Sequence, residues 1–564
     1  MSKNLIQKIA AVAVIAVIVL SAVMAYGNAS GSEYAYVPQM LGMEGAETIT
    51  IDKSAPTTGI RGPIVENHGT PASMDKDLRD LPQVGPETKR PAREMGQMPS
   101  YVADQGPDPV IQTADSVGDR PLGGPLAAAP APLGTFVGLD LQNWGGGWPP
   151  DTHGDVGPTH YIQAVNTSVG IFDKATGNRL AAFTINNFFK AAGASSTSVC
   201  ATLNYGDPIV IYDQVSGRWF ITDFAFAGSG GTPPYYECVA VSKTADPVSG
   251  GWWIYTITAD TASLNDYPKL GIWNDGIYMS ANMFKRGRTY AGAKVWALNR
   301  DDMINGAALR SVSFTIGTSY FSLLPANLKG AAAPAGTPEY FLSDYGSNTA
   351  IKMWKFTTNW ATPSASTFTG PTSIAVASFT RPASNSVPQQ GTTVKLDTLG
   401  DRLMSNVQYR NIGGVQSLWA TRSVVAGSSI GIRWMEIRNM TGTPSVYQQG
   451  TYAPDAKYRW MPSLAVDKFG NMAVGYSVSS STMYPGIYYA GRLSTDPLGT
   501  LGLTEALMYA GTGSQTSYNR WGDYAAMSVD PNDDCTFWFT TEYYAATGTN
   551  WQTRIGSFKF PGCP

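Results

Sequence analysis

Arg520 to Phe560 reads RWGDYAAMSVDPNDDCTFWFTTEYYAATGTNWQTRIGSFKF. Apolar and polar residues alternate from Tyr524 to Val529, and Asp530-Pro531-Asn532-Asp533-Asp534 breaks the run. A second strand, Thr536 to Thr540, is dense in aromatics. A Gly/Thr/Asn stretch leads to a third, Arg554 to Phe560. Short β-rich runs separated by Asp, Pro, Asn and Gly are the signature of an antiparallel meander. A lone meander cannot bury both faces, so the fold depends on whether the unit recurs.

Arg459-Trp460 opens an upstream unit just as Arg520-Trp521 opens this one. Each leads into an alternating strand that ends in Val-Asp, at Val466-Asp467 and Val529-Asp530. Earlier units centre on Asp401-Arg402-Leu403-Met404, on the irregular Glu339-Tyr340-Phe341-Leu342, and on Asp266-Tyr267-Pro268-Lys269. The first two begin at Asp207-Pro208 and Asp151-Thr152-His153-Gly154-Asp155. Asn274-Asp275-Gly276 is a tight hairpin signal within the third. Asp266 lies 59 positions after Asp207, and Trp521 lies 61 after Trp460. Seven units of about 60 residues predict an all-β, seven-bladed β-propeller over 135–564, a ring that removes long exposed edges. The strand near Gly134 to Leu141 is expected to complete the last blade. The blurred fourth unit leaves six or eight blades open.

The rest of the chain frames this domain. Of 564 residues only 14% are charged, and the net charge is −3. That excludes the electrostatic footprint of a nucleic-acid binder and a basic membrane-surface patch. Aromatics at 11%, with 60 Gly and 37 Pro, suit a turn-rich all-β protein. Lys3 and Lys8 precede an apolar run from Ile9 to Tyr26, and small residues follow. Residues 1–29 therefore read as a signal peptide or, given the length of the run, an uncleaved anchor. Either places the domain outside the cell or on its surface, with membrane contact only through this segment. Residues 30–134 are rich in Pro, Gly and Ala without periodicity, and predict a disordered linker or pro-segment. Four cysteines in an exported chain suggest two disulfides, most simply Cys200–Cys238 and Cys535–Cys563. With no C-x-x-C, a zinc site is not expected.

The motifs PPDTHGDVGPTHYIQAVN, GDPIVIYDQVSGRW, DYPKLGIWNDGIYMS, DRLMSNVQYRN, RWMPSLAVDKFGNMAVGYS and RWGDYAAMSVDPNDDCTFWFT cover most of the folded region. As a set they resemble secreted bacterial β-propeller proteins with sialidase-like repeats. Ser528-Val529-Asp530 before Thr536-Phe537-Trp538 looks like a stretched Asp-box. The resemblance implies a propeller fold and export. It implies no particular reaction, because that group has no assigned one.

The candidate chemistry follows from topology. Inner strands of a propeller all run the same way, so their first residues gather at one mouth of the central channel. That mouth is expected to collect Asp151, Asp155, Asp207 and Asp266 on one side, and Arg402, Arg459, Arg520 and Asp523 on the other. Guanidinium forks match carboxylates, as on an acidic sugar. Asp207, Asp266 and Asp523 are the candidate acid and base groups for glycoside cleavage, with Tyr267 alongside. Arg402, Arg459, Arg520, Tyr267 and Asp155 are the candidate ligand-binding residues. The competing account is that these Asp and Arg residues cap turns and lock blades together, and it is preferred for Arg459 and Arg520. Calcium among the clustered carboxylates is a third account, although no loop has the spacing of a calcium loop. No other cofactor is expected, and no metal ligands are assigned. Only His68, His153 and His160 exist, and His68 precedes the domain, which excludes a three-histidine centre within it. Gly427-Ser428-Ser429-Ile430-Gly431 matches G-x-S-x-G but leads into a strand, where a nucleophile elbow needs a helix. Loop aromatics (Trp144, Trp148, Trp252, Trp253, Tyr235, Tyr236, Tyr543, Tyr544) are candidates for stacking on sugars or a partner protein. Trp219, Trp434 and Trp538 are assigned to the core. The function expected is an exported propeller that binds glycan or a cell-surface protein. The alternative is a sialidase-like hydrolase or lyase acting on acidic sugars.

Overall fold

The computed structural model describes residues 50–81, 90–91, 106–113, 127–193, 198–227 and 232–564. The chain divides into two units, Met1–Gly45 and Ala46–Pro564, and the described residues all belong to the second. The signal or anchor expected over residues 1–29 lies outside them.

Seven four-stranded antiparallel blades follow one another along the chain. Their innermost strands are His153–Val156, Ile209–Asp213, Ser263–Ile272, Leu324–Leu328, Met404–Ile412, Tyr458–Val466 and Ala526–Val529. Each touches the next, and Ala526–Val529 touches His153–Val156, so the ring closes. The irregular fourth unit is a complete blade, and its innermost strand pairs in parallel with that of blade 5 from Ala326↔Val407 to Leu328↔Tyr409. The seventh blade takes its outer strand from the other end of the domain. Gly134–Asp140 pairs antiparallel with Gln552–Lys559, as at Phe136↔Ile555, and staples the ring shut.

Packing follows the alternation. Trp219 and Trp434 are fully buried and Trp538 nearly so, as their strand positions require. Several aromatics assigned to loops also face the core: Trp252, Tyr235 and Tyr543 are buried because the strands extend further than their composition suggests, and Trp144 and Tyr544 are buried outside the strands. Asp213, Asp467 and Asp530 end the innermost strands of blades 2, 6 and 7 and hold the following turns. They accept backbone N–H groups from Val215, from Phe469 and Asn471, and from Asn532. Both expected disulfides form. Cys200–Cys238 ties the short helix Val199–Thr202 to blade 2, and Cys535–Cys563 ties the first turn of blade 7 to the chain's end. Gly427 opens the tight hairpin between Val415–Ala426 and Ser429–Arg438, so the G-x-S-x-G match sits in a turn between strands.

The structureless linker expected over 30–134 does not hold for the parts described. Ile60–Asn67 adds a strand to the outer edge of blade 3, and Ala72–Met74 does so on blade 2. Ile111–Gln112 lies along blade 5 and Ala127–Ala128 along blade 6. An outer strand presents a row of unpaired N–H and C=O groups, and this segment satisfies them. Asp108 goes further. Its carboxylate accepts from the fully buried Arg433 at 2.8 Å and from the Thr451 hydroxyl at 2.6 Å. The segment is a strap around the ring, anchored by a buried ion pair.

Candidate ligand site at the channel mouth

The inner strands begin with a recurring backbone device. Asp151, Asp207, Tyr267, Ser322 and Met461 all lie in the left-handed region, with φ between 45° and 56°, and Gly522 has φ 139°. In blades 3 and 6 the pairing register shifts here, between Asp266 and Lys269 and between Trp460 and Ser463. Such a bulge turns side chains out of the strand and frees backbone amides. The neighbouring blade captures those amides. Asp207 donates its N–H to Asn166 Oδ1 at 2.8 Å, and Tyr267 donates to Asp207 Oδ2 at 2.9 Å. Ser322 donates to Asn282 Oδ1 at 2.8 Å. Asp523 donates to Asp151 Oδ1 at 2.7 Å, and Asn166 Nδ2 donates to Asp151 Oδ2 at 2.5 Å. Blades 7, 1, 2, 3 and 4 are thus laced together around the mouth.

This lacing gathers Asp151, Asp207, Asp266, Tyr267, Arg402, Arg520 and Asp523, which are electrostatically coupled to one another. Asp207, Asp266 and Asp523 are partly exposed, whereas Asp151 is buried. Arg402 grips Asp401 through two hydrogen bonds, 2.7 and 3.2 Å, with its guanidinium over the Tyr267 ring. Arg520 pairs with Asp523.

Two expected members are elsewhere. Arg459 turns into blade 6, where Glu505 on the outer strand takes its Nε and Nη2 at 2.9 and 2.8 Å. Its remaining Nη1 donates to Asp455 at 2.8 Å. Asp155 lies at the opposite end of the channel. The innermost strand of blade 1 is only four residues long, so Asp155 is already at its exit. There it accepts the Lys329 ammonium and the Tyr212 N–H, both at 2.8 Å, tying blades 1, 2 and 4.

Three further groups complete the mouth. Lys269 is buried, with Nζ 3.4 Å from the Tyr267 ring centre and 4.1 Å from that of Tyr524, and it donates to the Pro268 carbonyl. Glu237 and Glu542 stand behind the rim, both buried. Glu237 accepts from Asn265 Nδ2 at 2.8 Å and faces the Thr222 hydroxyl, while both oxygens of Glu542 have no partner among the described residues. The sequence signal for these two was a glutamate within an otherwise core-facing strand, at Tyr236-Glu237-Cys238 and Thr541-Glu542-Tyr543.

The carboxyls crowd one another. Burial, then the Asp523 charge, pushes Asp207 up to about 6. Burial followed by Asp207 and Asp523 holds Asp266 well above the ordinary range. Burial pushes Glu237 up to about 8, and with Asp151 it raises Glu542 strongly. Burial also brings Lys269 down to about 8, against the pull of Asp207, Asp523 and Asp151. Desolvation therefore outweighs pairing at these acids and at Lys269, whereas at Arg402 the grip of Asp401 wins and raises the guanidinium. These acids do not converge on a point. Among the described residues the only set of three ligand groups within 4.8 Å is Asp533, Cys535 and Cys563, and both cysteines are in a disulfide.

No family model and no curated protein matches this chain. Among solved structures, Drosophila semaphorin 1b, extracellular domains 1–2, is similar with TM-score 0.35 at 6% identity, covering 76% of this chain and 87% of that one. The NanB sialidase of Streptococcus pneumoniae gives TM-score 0.34 at 10% identity, covering 80% and 73%. A polysaccharide lyase of family PL25, an ulvan lyase, gives 0.27 at 10%, covering 74% and 81%. Likenesses this distant carry no chemistry across. The propeller assignment rests on the chain's own closed ring of seven blades.

Proposed function

We propose that this protein is an exported binding module that holds a glycan at the channel mouth. The observation that carries the reading is an aromatic pair from which the chain leads into a mouth of partly exposed carboxylates. Trp148 stacks on Tyr518 with ring centres 4.5 Å apart, and both are partly exposed. Trp148 stands three residues before Asp151, and Tyr518 two before Arg520, so both chains run from the aromatic pair directly into the mouth. Asn166 bridges the Pro149 carbonyl to Asp151, which fixes the first of those approaches. A carboxylate accepts sugar hydroxyls, and an aromatic face stacks on the apolar side of a pyranose. The arginines support hydroxyl contacts over a carboxylate clamp, since Arg402, Arg459 and Arg520 all direct donors at neighbouring acids. Export is supported by the two disulfides, all four cysteines being paired. Among the described residues, no helix is long and apolar enough to cross a membrane.

One observation favours the hydrolase or lyase reading. Burial raises Asp207 and Asp266 above the usual carboxylate range, the direction a general acid requires, with Asp523 nearby as the base. One experiment separates the two. The exported protein is incubated with oligosaccharides, and binding and released sugar are measured together for wild type, Trp148→Ala and Asp207→Asn. Binding without release, weakened about tenfold or more in each variant, is expected. Release that disappears in Asp207→Asn would establish the enzyme instead.

A further inference from the structure

We infer that the ligand of this mouth carries a protonated amine, so that the glycan is an amino sugar and not an acidic one. The inference rests on the glycan reading and starts from a count of charge. Every cation at the mouth is already engaged. Arg402 is gripped by Asp401 and Arg520 by Asp523, and Lys269 lies buried beneath two tyrosine rings. Asp207 gives one oxygen to the Tyr267 amide, and Asp266, paired with Asn282 through its backbone, leaves its carboxyl in the field of Arg402 and Lys269. Behind them lie both carboxyl oxygens of Glu542, buried with no partner among the described residues. Glu542 Oε1 comes within 3.8 Å of where a side chain on Gly522 would begin, so it faces the rim. A dry, polar, acid-rich recess of this kind favours a positive guest and repels an anionic one.

The shape of the cluster selects the kind of cation. A divalent metal needs several oxygens converging on one point, and the mouth offers no such set of three among the described residues. An ammonium needs two or three separated acceptors, and aromatic faces serve as well as oxygens. The mouth already treats one ammonium this way, its own. Lys269 sits over Tyr267 and Tyr524 within the field of Asp207, Asp523 and Asp151. Asp207 faces Asp523, Arg520 and Tyr524 from blade 7, Asp266, Tyr267 and Lys269 from blade 3, and Glu237 from its own blade. The half of that set open to solvent, Asp207 and Asp266, is where a ligand amine would dock, with the sugar ring continuing towards Trp148 and Tyr518.

The test is calorimetric titration of the exported protein at about pH 6.5, where a sugar amine is still protonated, with four probes. These are a glucosamine tetrasaccharide, its N-acetylated form, a galacturonate tetrasaccharide, and spermidine as an amine without sugar. The glucosamine oligomer is expected to bind about tenfold or more tightly than the acetylated one, the effect of one charge-assisted hydrogen bond. Galacturonate should not bind. Asp266→Asn, which removes the ionisable group that a bound ammonium would face, should keep its melting temperature and bind both glucosamine forms alike. Equal binding of the two forms by wild type would overturn the amine and leave the glycan reading standing, as would a preference for galacturonate. Spermidine binding with no response to any oligosaccharide would keep ammonium recognition and overturn the glycan. Silence with all four probes would overturn both.

Discussion

Arg459→Ala tests how the ring is held. The guanidinium is fully buried, with Glu505 15% and Asp455 40% exposed at their side chains. The bidentate grip on Glu505 is the dominant arm, and the exposed Asp455 arm is worth about 0–1 kcal/mol. Removing one partner of a buried pair costs about 3–5 kcal/mol, because the other charge is stranded. Glu505 keeps the Tyr476 hydroxyl at 3.2 Å and some contact with water, which places this substitution near the lower end, about 3 kcal/mol. The assay is equilibrium urea unfolding followed by tryptophan fluorescence, with ligand binding measured on the same preparation. Stability should fall by that amount while affinity for the mouth ligand stays within about twofold. Replacing both partners, as Arg459→Leu with Glu505→Leu, should recover most of the loss, since no charge is then left unpaired. A loss below about 1 kcal/mol would show that Arg459 does not lock the blade. Loss of ligand with stability intact would place its guanidinium in the mouth and refute the geometry.

Asp108→Asn strands the buried Arg433 and should destabilise by about 3–5 kcal/mol in the same assay, and unchanged stability would mean the strap is dispensable. Glu237 has a folded-state pKa raised to about 8, so its native form binds a proton that the unfolded chain releases. Its contribution is present below the ordinary glutamate range and is lost as pH rises through 8. His68 and His153, lowered to about 4 and about 3, act in the opposite sense only below their ordinary value near 6.5. Stability should therefore fall between about pH 6.5 and 8, and Glu237→Gln should reduce the fall across that window by about 2 kcal/mol; a parallel slope in the variant would remove Glu237 as its source. Replacing Cys535 and Cys563 by Ser opens a loop of 28 residues and should cost about 2–4 kcal/mol, and peptide maps of the unreduced protein should show no crossed pair with Cys200 or Cys238.

The ring was legible because its units repeat their own periodicity, and Gly134–Asp140 was legible as its closure because the last unit lacked a fourth strand. The strap was not. Its strands run from two to eight residues and have no alternation of their own, since the exposed edges of blades 2, 3, 5 and 6 template them. The mouth was partly legible, because strand direction alone gathers Asp207, Asp266, Tyr267, Arg402, Arg520 and Asp523. Arg459 and Arg520 share the same Arg-Trp opening yet part company. Blade 6 carries Glu505 on its outer strand, and nothing in the local motif announces a partner 46 residues away. Asp155 was misplaced by strand length, a quantity that boundaries drawn from composition do not fix. Glu237, Lys269 and Glu542 act across blades, where only the closed ring brings them together.

The lacing and the ligand site are one piece of chemistry. Each left-handed residue at a strand start frees an amide, and the neighbouring blade needs a polar acceptor there to close without a buried orphan. Asp207 serves blade 3 in this way with one oxygen and is left with a second facing the channel. Repeating the solution at Asp151 brings several carboxyls into a space that water only partly reaches, and burial, then their mutual repulsion, raises Asp207 and Asp266 together. Closure of the ring thus crowds acids that burial disfavours in their ionised form, as a by-product. Lys269, drawn in between Tyr267 and Tyr524, offsets only part of this, since desolvation pulls its own pKa down to about 8. What remains uncompensated is concentrated on the solvent side, at Asp207 and Asp266. A guest that brings one positive charge there stabilises the acids in their ionised form and leaves every hydrogen bond between blades in place.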